Sequence, residues 1–256
     1  MRPLRTLVIT EADPIYVIEF FEEFLRELPQ DRIDVVAIAI CRPFHEPLHR
    51  TARRMLSFYG PIDFSRLLLR WLGTRLRRRS IAKLAHAAGL RVIEADSVNG
   101  AEFLRQAKSL DPDVIVSVAA PEIFKPPLLS LARLGAINIH SGRLPRYRGM
   151  MPTFWQLLHG EPHVTVTIHR MVERLDAGEI VLEERFPLEA RDSLDRVIVG
   201  TKRLGGRMMI RTLLDLEGLL AKARLPEGEP GYFRFPSPSD VRAFRRRGHR
   251  MLGSAR

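Results

Sequence analysis

Asn138 and His140 stand two residues apart in the run Ala136-Ile137-Asn138-Ile139-His140, and Asp176 follows after a loop and a second apolar stretch. An extended strand repeats its side-chain direction every second residue, so the amide and the imidazole project from one face while Ile137 and Ile139 are buried on the other. A carboxamide can donate a hydrogen bond to a developing oxyanion, where one donor is worth about 3–4 kcal/mol. An imidazole can accept or relay a proton near neutral pH, or donate to the oxyanion when charged. A carboxylate approaching from a facing loop would fix that ring, stabilise its charged form or pass a proton through water. Together these groups are suited to acyl transfer. Singly, each has an ordinary reading: Asn-x-His can be a satisfied polar pair at a sheet end, and Asp176 before Ala177-Gly178 can bond its own turn.

Periodicity supplies the elements that must carry these groups. Strands are predicted over Leu4–Thr10, Ile33–Ile40, Arg91–Ala95, Asp113–Ser117, Ala136–His140, Val164–Met171 and Glu179–Phe186. Helices are predicted over Pro14–Leu28, Ile62–Arg79, Ser80–Ala88, Ala101–Leu110, Leu128–Leu134 and Pro152–His159, with a long one over Asp192–Ala223 eased at Gly205-Gly206. Alternation of this kind gives an α/β fold, a parallel sheet flanked by helices. Ligands of such sheets bind beyond the strand C-terminal ends, where the Asn138 strand and Val118-Ala119-Ala120-Pro121 both finish. Pro226 to Gly231 reads as a turn-rich linker, and Tyr232–Pro236 as an extended segment leading into a capped helix at Ser239-Asp240.

Three stretches carry a resemblance to a known family. Asn138-Ile139-His140 with Leu144-Pro145-Arg146-Tyr147-Arg148-Gly149, Val166-Thr167-Ile168-His169, and Leu175-Asp176-Ala177-Gly178-Glu179-Ile180 resemble the folate-dependent formyltransferases, whose members act on methionyl-tRNA, glycinamide ribonucleotide or amino sugars. The likeness runs from Leu4 to Leu220 in element order and is densest from Asp111 onward. It implies a Rossmann-like open, mostly parallel sheet with helices on both faces over residues 1–225, then a linker and short basic C-terminal extension over 226–256. It implies 10-formyltetrahydrofolate as formyl donor, with Asn138, His140 and Asp176 catalytic. The pterin would lie against Val118, Ala119, Ala120, Pro121 and Ile123 on one side and Met171, Val172 and Glu173 on the other, held largely through backbone groups.

Two departures from the family pattern bear on function. Gly142-Arg143 replaces the usual Ser-Leu, which predicts a more flexible and more charged loop. Thr10-Glu11-Ala12-Asp13-Pro14 lacks the Gly-rich turn that seats a phosphate at a helix N-terminus, which disfavours a ribonucleotide acceptor. Only about 30 residues, the linker included, follow residue 225, too few for the β-barrel of methionyl-tRNA members, which disfavours tRNA. The resemblance thus points to a primary amine acceptor, an amino sugar or sugar nucleotide. Two alternatives stay open: a formyltetrahydrofolate hydrolase, in which water replaces the amine, and a non-catalytic relative that binds nucleic acid or an acidic partner through its arginines.

The 256 residues, 45% of them hydrophobic, can bury one large α/β core and a small addition, but no second full domain. One cysteine, Cys41, excludes an internal disulfide framework and agrees with a reducing compartment, with the cytoplasm as default. No run approaches the ~18 apolar residues of a membrane span. The net charge of +11 concentrates in Arg75–Arg79, at the end of a helix bearing Leu67, Leu68, Trp71, Leu72 and Leu76, and in Arg242–Arg250. A solvated helix end explains the first run more simply than nucleic acid or an acidic membrane, because no interleaved aromatics or docking motif accompany the charges. His159, His163 and His169 lack a zinc spacing and read as surface or strand histidines.

Overall fold

Short β-branched runs build the centre of the molecule in a computed structural model that describes residues 2–41, 48–190 and 192–253. Of the expected units 1–225 and 226–256, residues 1, 42–47, 191 and 254–256 lie outside the described residues. The strands are β1 (Leu4–Glu11), β2 (Ile33–Cys41), β3 (Val92–Ala95), β4 (Val114–Val118), β5 (Ala136–His140), the two-residue β6 (Arg148–Gly149), β7 (His163–Arg170), β8 (Ile180–Pro187) and β9 (Tyr232–Phe233). Seven of them form one open sheet in the order β3-β2-β1-β4-β5-β7-β8, parallel as far as β5 and antiparallel from β5 to β7 and β8. Beside it, β6 and β9 pair in parallel.

Nine helices accompany them among the described residues: α1 (Val17–Arg26), α2 (Leu48–Leu76), α3 (Ile81–Ala87), α4 (Ala101–Ser109), α5 (Pro126–Leu129), α6 (Pro152–Leu158), α7 (Leu194–Leu214), α8 (Leu216–Ala221) and α9 (Pro238–Arg246). Period-2 alternation sends each strand's side chains to two cores. Val8, Ile137, Ile139, Val166 and Ile168 join Phe20, Phe24, Met208 and Met209 under α1 and α7. Leu7, Ile9 and Ala136 face Phe103, Phe124 and Leu128 on the other side. A third, aromatic core gathers Phe58, Tyr147, Phe154, Trp155 and Phe244, where Phe154 and Phe244 stack at 4.6 Å and fasten α9 onto α6.

Several elements differ from the sequence expectation. The helix expected over Leu128–Leu134 is the single turn α5: it starts earlier, because Pro126 and Pro127 suit the first helical positions, and yields to turns before Gly135. The helix expected from Ile62 begins at Leu48 and breaks at Gly60, whose φ of 74° and ψ of 168° are not helical. The single helix expected over Asp192–Ala223 is divided at Asp215. Gly205-Gly206 lie within the unbroken α7; a Cβ on Gly205 would stand 2.6 Å from Ile139 Cδ1 and one on Gly206 2.7 Å from the Phe20 carbonyl, so these residues let α7 lie directly on β5 and α1. The capped helix starts at Ser237, where Ser237 and Asp240 form a reciprocal capping box.

Candidate active site

Strand register brings the polar residues together. β5 lies between β4 and β7, pairing Asn138 with Ser117 on one side and with His169 on the other, and His140 with Thr167. Ile137 and Ile139 are committed to the core under α7, which leaves Asn138 and His140 on the opposite face at the C-terminal end of the strand. Asp176 arrives from the loop after β7 in a left-handed backbone conformation, φ 47°. Its loop is held by the buried Arg148, whose guanidinium donates twice to the Leu175 carbonyl.

Of the three expected residues, His140 and Asp176 meet directly, and Asn138 joins them through His169. His140 Nδ1 lies 3.8 Å from Asp176 Oδ2, and both side chains are buried. His140 Nε2 is 2.6 Å from the Tyr147 carbonyl, so Nε2 carries the proton and Nδ1 presents its lone pair toward the carboxylate. Asp176 Oδ2 also accepts the Gly149 N–H at 2.9 Å. Burial depresses the His140 pKa, outweighing the nearby Asp176 charge that works to raise it, so the ring is neutral near pH 7. Burial alone would raise Asp176, but the neighbouring imidazoles of His140 and His169 and the Gly149 N–H together hold it well below the usual carboxylate range. A neutral base beside an ionised carboxylate results.

His169, expected to be an ordinary strand histidine, belongs to this network. It is fully enclosed, with Nε2 3.2 Å from Asn138 Nδ2 and 3.6 Å from Asp176 Oδ1. Nδ1, 2.8 Å from the Arg170 carbonyl, donates there, which leaves Nε2 to accept one Asn138 amide hydrogen. The second amide hydrogen is left for a ligand. The signal available in sequence was Val166-Thr167-Ile168-His169, whose alternation puts Thr167 and His169 on one face; the cross-strand register that aims them at Asn138 is a tertiary fact.

The loop after β5 is pinned rather than flexible, contrary to the reading of Gly142-Arg143. Thr167 Oγ1 donates to the Gly142 carbonyl at 2.8 Å, and Gln156 Nε2 donates to the Ser141 carbonyl at 2.9 Å. A Cβ on Gly142 would stand 2.7 Å from both His140 Nε2 and Pro152 Cβ, so the glycine makes room for the imidazole to reach Tyr147. Arg143 adds its charge but pairs with Glu161 at 3.6 Å.

The residues expected around a pterin flank the same strand ends. Val118 is fully buried in the core at the end of β4, so it has backbone alone to offer; Ala119, with φ 53°, turns the chain outward, and Ala120 and Pro121 are half-buried. Ala120 and Met171 pack against one cluster, while Ile123, Val172 and Glu173 are exposed. A cavity of about 730 Å³ lined by Arg143, Arg146, His159, Arg224 and Phe233 includes none of Asn138, His140 and Asp176.

At the start of α1, Asp13 takes the place a bound anion would occupy. Its Oδ1 accepts the N–H groups of Ile15 and Tyr16 at 2.7 and 3.1 Å, and Oδ2 that of Val17 at 3.4 Å. Burial, and then the Asp13 charge, pushes neighbouring Glu11 up to about 7 against the opposing pull of Lys202.

Comparison with known proteins agrees with this architecture. A sequence model of the formyl transferase family matches residues 71–213. A methionyl-tRNA formyltransferase of Pelotomaculum thermopropionicum is 33% identical over 153 residues, 59% of this chain and 49% of that protein. One from Ehrlichia ruminantium is 34% identical over 152 residues, 59% of this chain and 50% of its own length. The chain thus spans about half the length of the curated relatives it matches. Among solved structures, a phosphoribosylglycinamide formyltransferase from Bacillus halodurans shares the fold with a TM-score of 0.59 at 16% identity, over 83% of this chain and 94% of that one. A sugar N-formyltransferase from Shewanella sp FDAARGOS_354 does so with a TM-score of 0.56 at 19% identity, over 90% and 76%.

Proposed function

Because this chain belongs to the formyl transferase family, we propose that it moves a formyl group from 10-formyltetrahydrofolate to a primary amine, an amino sugar or sugar nucleotide being the acceptor class. The observation that carries the reading is the convergence of one uncommitted Asn138 amide hydrogen, the His140 Nδ1 lone pair and the ionised Asp176 at the end of β5.

The folate donor supplies an activated formyl carbonyl. Backbone groups of Ala119 to Pro121 and of Met171 to Glu173 would hold its pterin, and the exposed apolar side chains of Ile123 and Val172 fit a flat ring better than water. Asn138 donates its second amide hydrogen to the carbonyl oxygen as the amine nitrogen attacks and negative charge builds there. His140 takes the proton that the attacking amine sheds, at Nδ1, while Nε2 stays anchored on Tyr147. Asp176 stabilises the imidazolium so formed, which returns the proton to the folate nitrogen as its bond to the formyl carbon breaks and tetrahydrofolate leaves. His169 keeps the Asn138 amide from rotating.

Asp13 argues on the acceptor side. A phosphate monoester seated on the first amides of α1 would have to displace a carboxylate already bonded there and then sit beside its charge. That disfavours a ribonucleotide acceptor.

Single-turnover transfer with 10-formyltetrahydrofolate and a panel of amino-sugar nucleotides tests the reading. Asn138→Ala should lose at least ~100-fold of the wild-type rate, as expected for loss of an oxyanion donor. A near-wild-type rate would reject the assignment, and formate release without need of an amine would replace it with hydrolysis.

A further inference from the structure

The second part of α2, residues 61–76, shows apolar side chains to water on the side that faces away from the protein. Ile62 and Leu69 are each 68% exposed and Leu76 is 86% exposed, and Leu68 and Leu72 complete the row. Spacings of three, four and seven residues place all five on one helical stripe about four turns long. Isolated exposed leucines are ordinary, but a continuous row is not.

The inward face is already satisfied, so the stripe is not a poorly docked core. Phe64 and Leu67 pack against the aromatic core and Thr74 is buried. Arg70 donates to Asp195 at 2.7 Å and to the Ile15 carbonyl, in a cluster where Tyr16 also donates to Asp195 at 2.9 Å. Just past the helix, Arg79 pairs with Glu19 at 2.9 Å and Glu22 at 2.8 Å. The helix is thus fixed with its leucines outward.

Arginines border the row. Arg75 lies along one side, its guanidinium 4.6 Å from the Trp71 ring, and Arg66 and Arg77 lie along the other. Residues 61–79 hold six arginines and a single acid, Asp63, which is engaged by Arg66 at 3.3 Å. A leucine row between arginine borders is the pattern of a helix lying in a lipid interface, apolar side in the acyl boundary and cations among the headgroups. The composition also speaks against a second copy of this chain, since a two-fold contact would set arginine border against arginine border on a molecule of net charge +11.

We propose that residues 61–78 dock this protein peripherally on an anionic lipid bilayer. The leucines supply burial and the arginines headgroup attraction of about 1 kcal/mol each. Among the described residues no helix is long and apolar enough to cross a membrane, so the association lies at the surface. The charges alone read as a solvated helix end; the proposal adds the exposed leucines, which appear only once the inward face is known.

Co-sedimentation of the full chain with vesicles tests the proposal. Phosphatidylcholine vesicles containing about one-third phosphatidylglycerol should capture it, and pure phosphatidylcholine should capture at least ~10-fold less. The triple variant Leu69→Glu, Leu72→Glu, Leu76→Glu should lose capture while keeping its melting temperature. Arg75→Gln and Arg77→Gln should each weaken capture ~5-fold, the ratio that ~1 kcal/mol corresponds to. Absence of capture, equal capture on both vesicles, or triple-variant capture equal to wild type would overturn the proposal. So would a wild-type dimer that the triple variant dissolves without any vesicle binding, which assigns the leucines to a second copy.

Discussion

The end of β5 and the outer face of α2 treat their side chains in opposite ways. Around Asn138, polar groups are withdrawn from water and paired one by one, His169 holding the amide, Tyr147 the imidazole and Gly149 the carboxylate. On α2, leucines are left in water with no partner to cover them among the described residues. A paired polar network specifies one geometry at high cost if any member is lost, whereas an uncovered apolar row contributes little to folding and is available for contact. On the proposed readings, the contrast separates residues that set a reaction from residues that set a location.

Experiments that damage one region should leave the other untouched. The largest effect is expected at the network: His140→Ala, which removes the base, should lower the single-turnover rate at least ~100-fold, with vesicle capture unchanged. Next comes the contact between α7 and β5: Gly205→Val, which drives a side chain into Ile139 Cδ1, should cost about 1–3 kcal/mol in denaturant unfolding. The site's pH dependence sharpens the assignment further. With the His140 pKa depressed, the rate should fall on acidification only below the ordinary imidazole range; because Asp176 pulls that pKa upward, the residual activity of Asp176→Asn should have its acid limb at lower pH still. A limb unmoved by Asp176→Asn would separate the carboxylate from the base. The smallest effect is expected on the exposed helix, where Leu72→Gln should change unfolding stability by less than ~0.5 kcal/mol.

Much of the sheet could be read from the chain, since β1, β2, β4 and β5 are short apolar runs with turn residues at their ends and the two-residue period of β5 already put Asn138 beside His140. Asp176 was placed in the loop that delivers it. What escaped was set by pairing across distance. His169 enters the site through its register with Asn138, and nothing local to residues 163–170 fixes that register. The first part of α2 is not legible in the sequence because its arginines and the Gly60-Pro61 break hide a helical period. Gly142 reads as a loosening of the loop because glycine is flexible in isolation, whereas side chains from two other elements fasten its own carbonyl and that of Ser141.

Helix α7 touches both regions. Near its start Asp195 holds Arg70 of α2, and further along Gly205 rests against Ile139 with no side chain of its own between backbone and strand. One strut therefore spans from the leucine-bearing surface to the strand that presents Asn138 and His140, and wherever that surface comes to rest, the orientation of the reacting groups relative to it is already set by the fold.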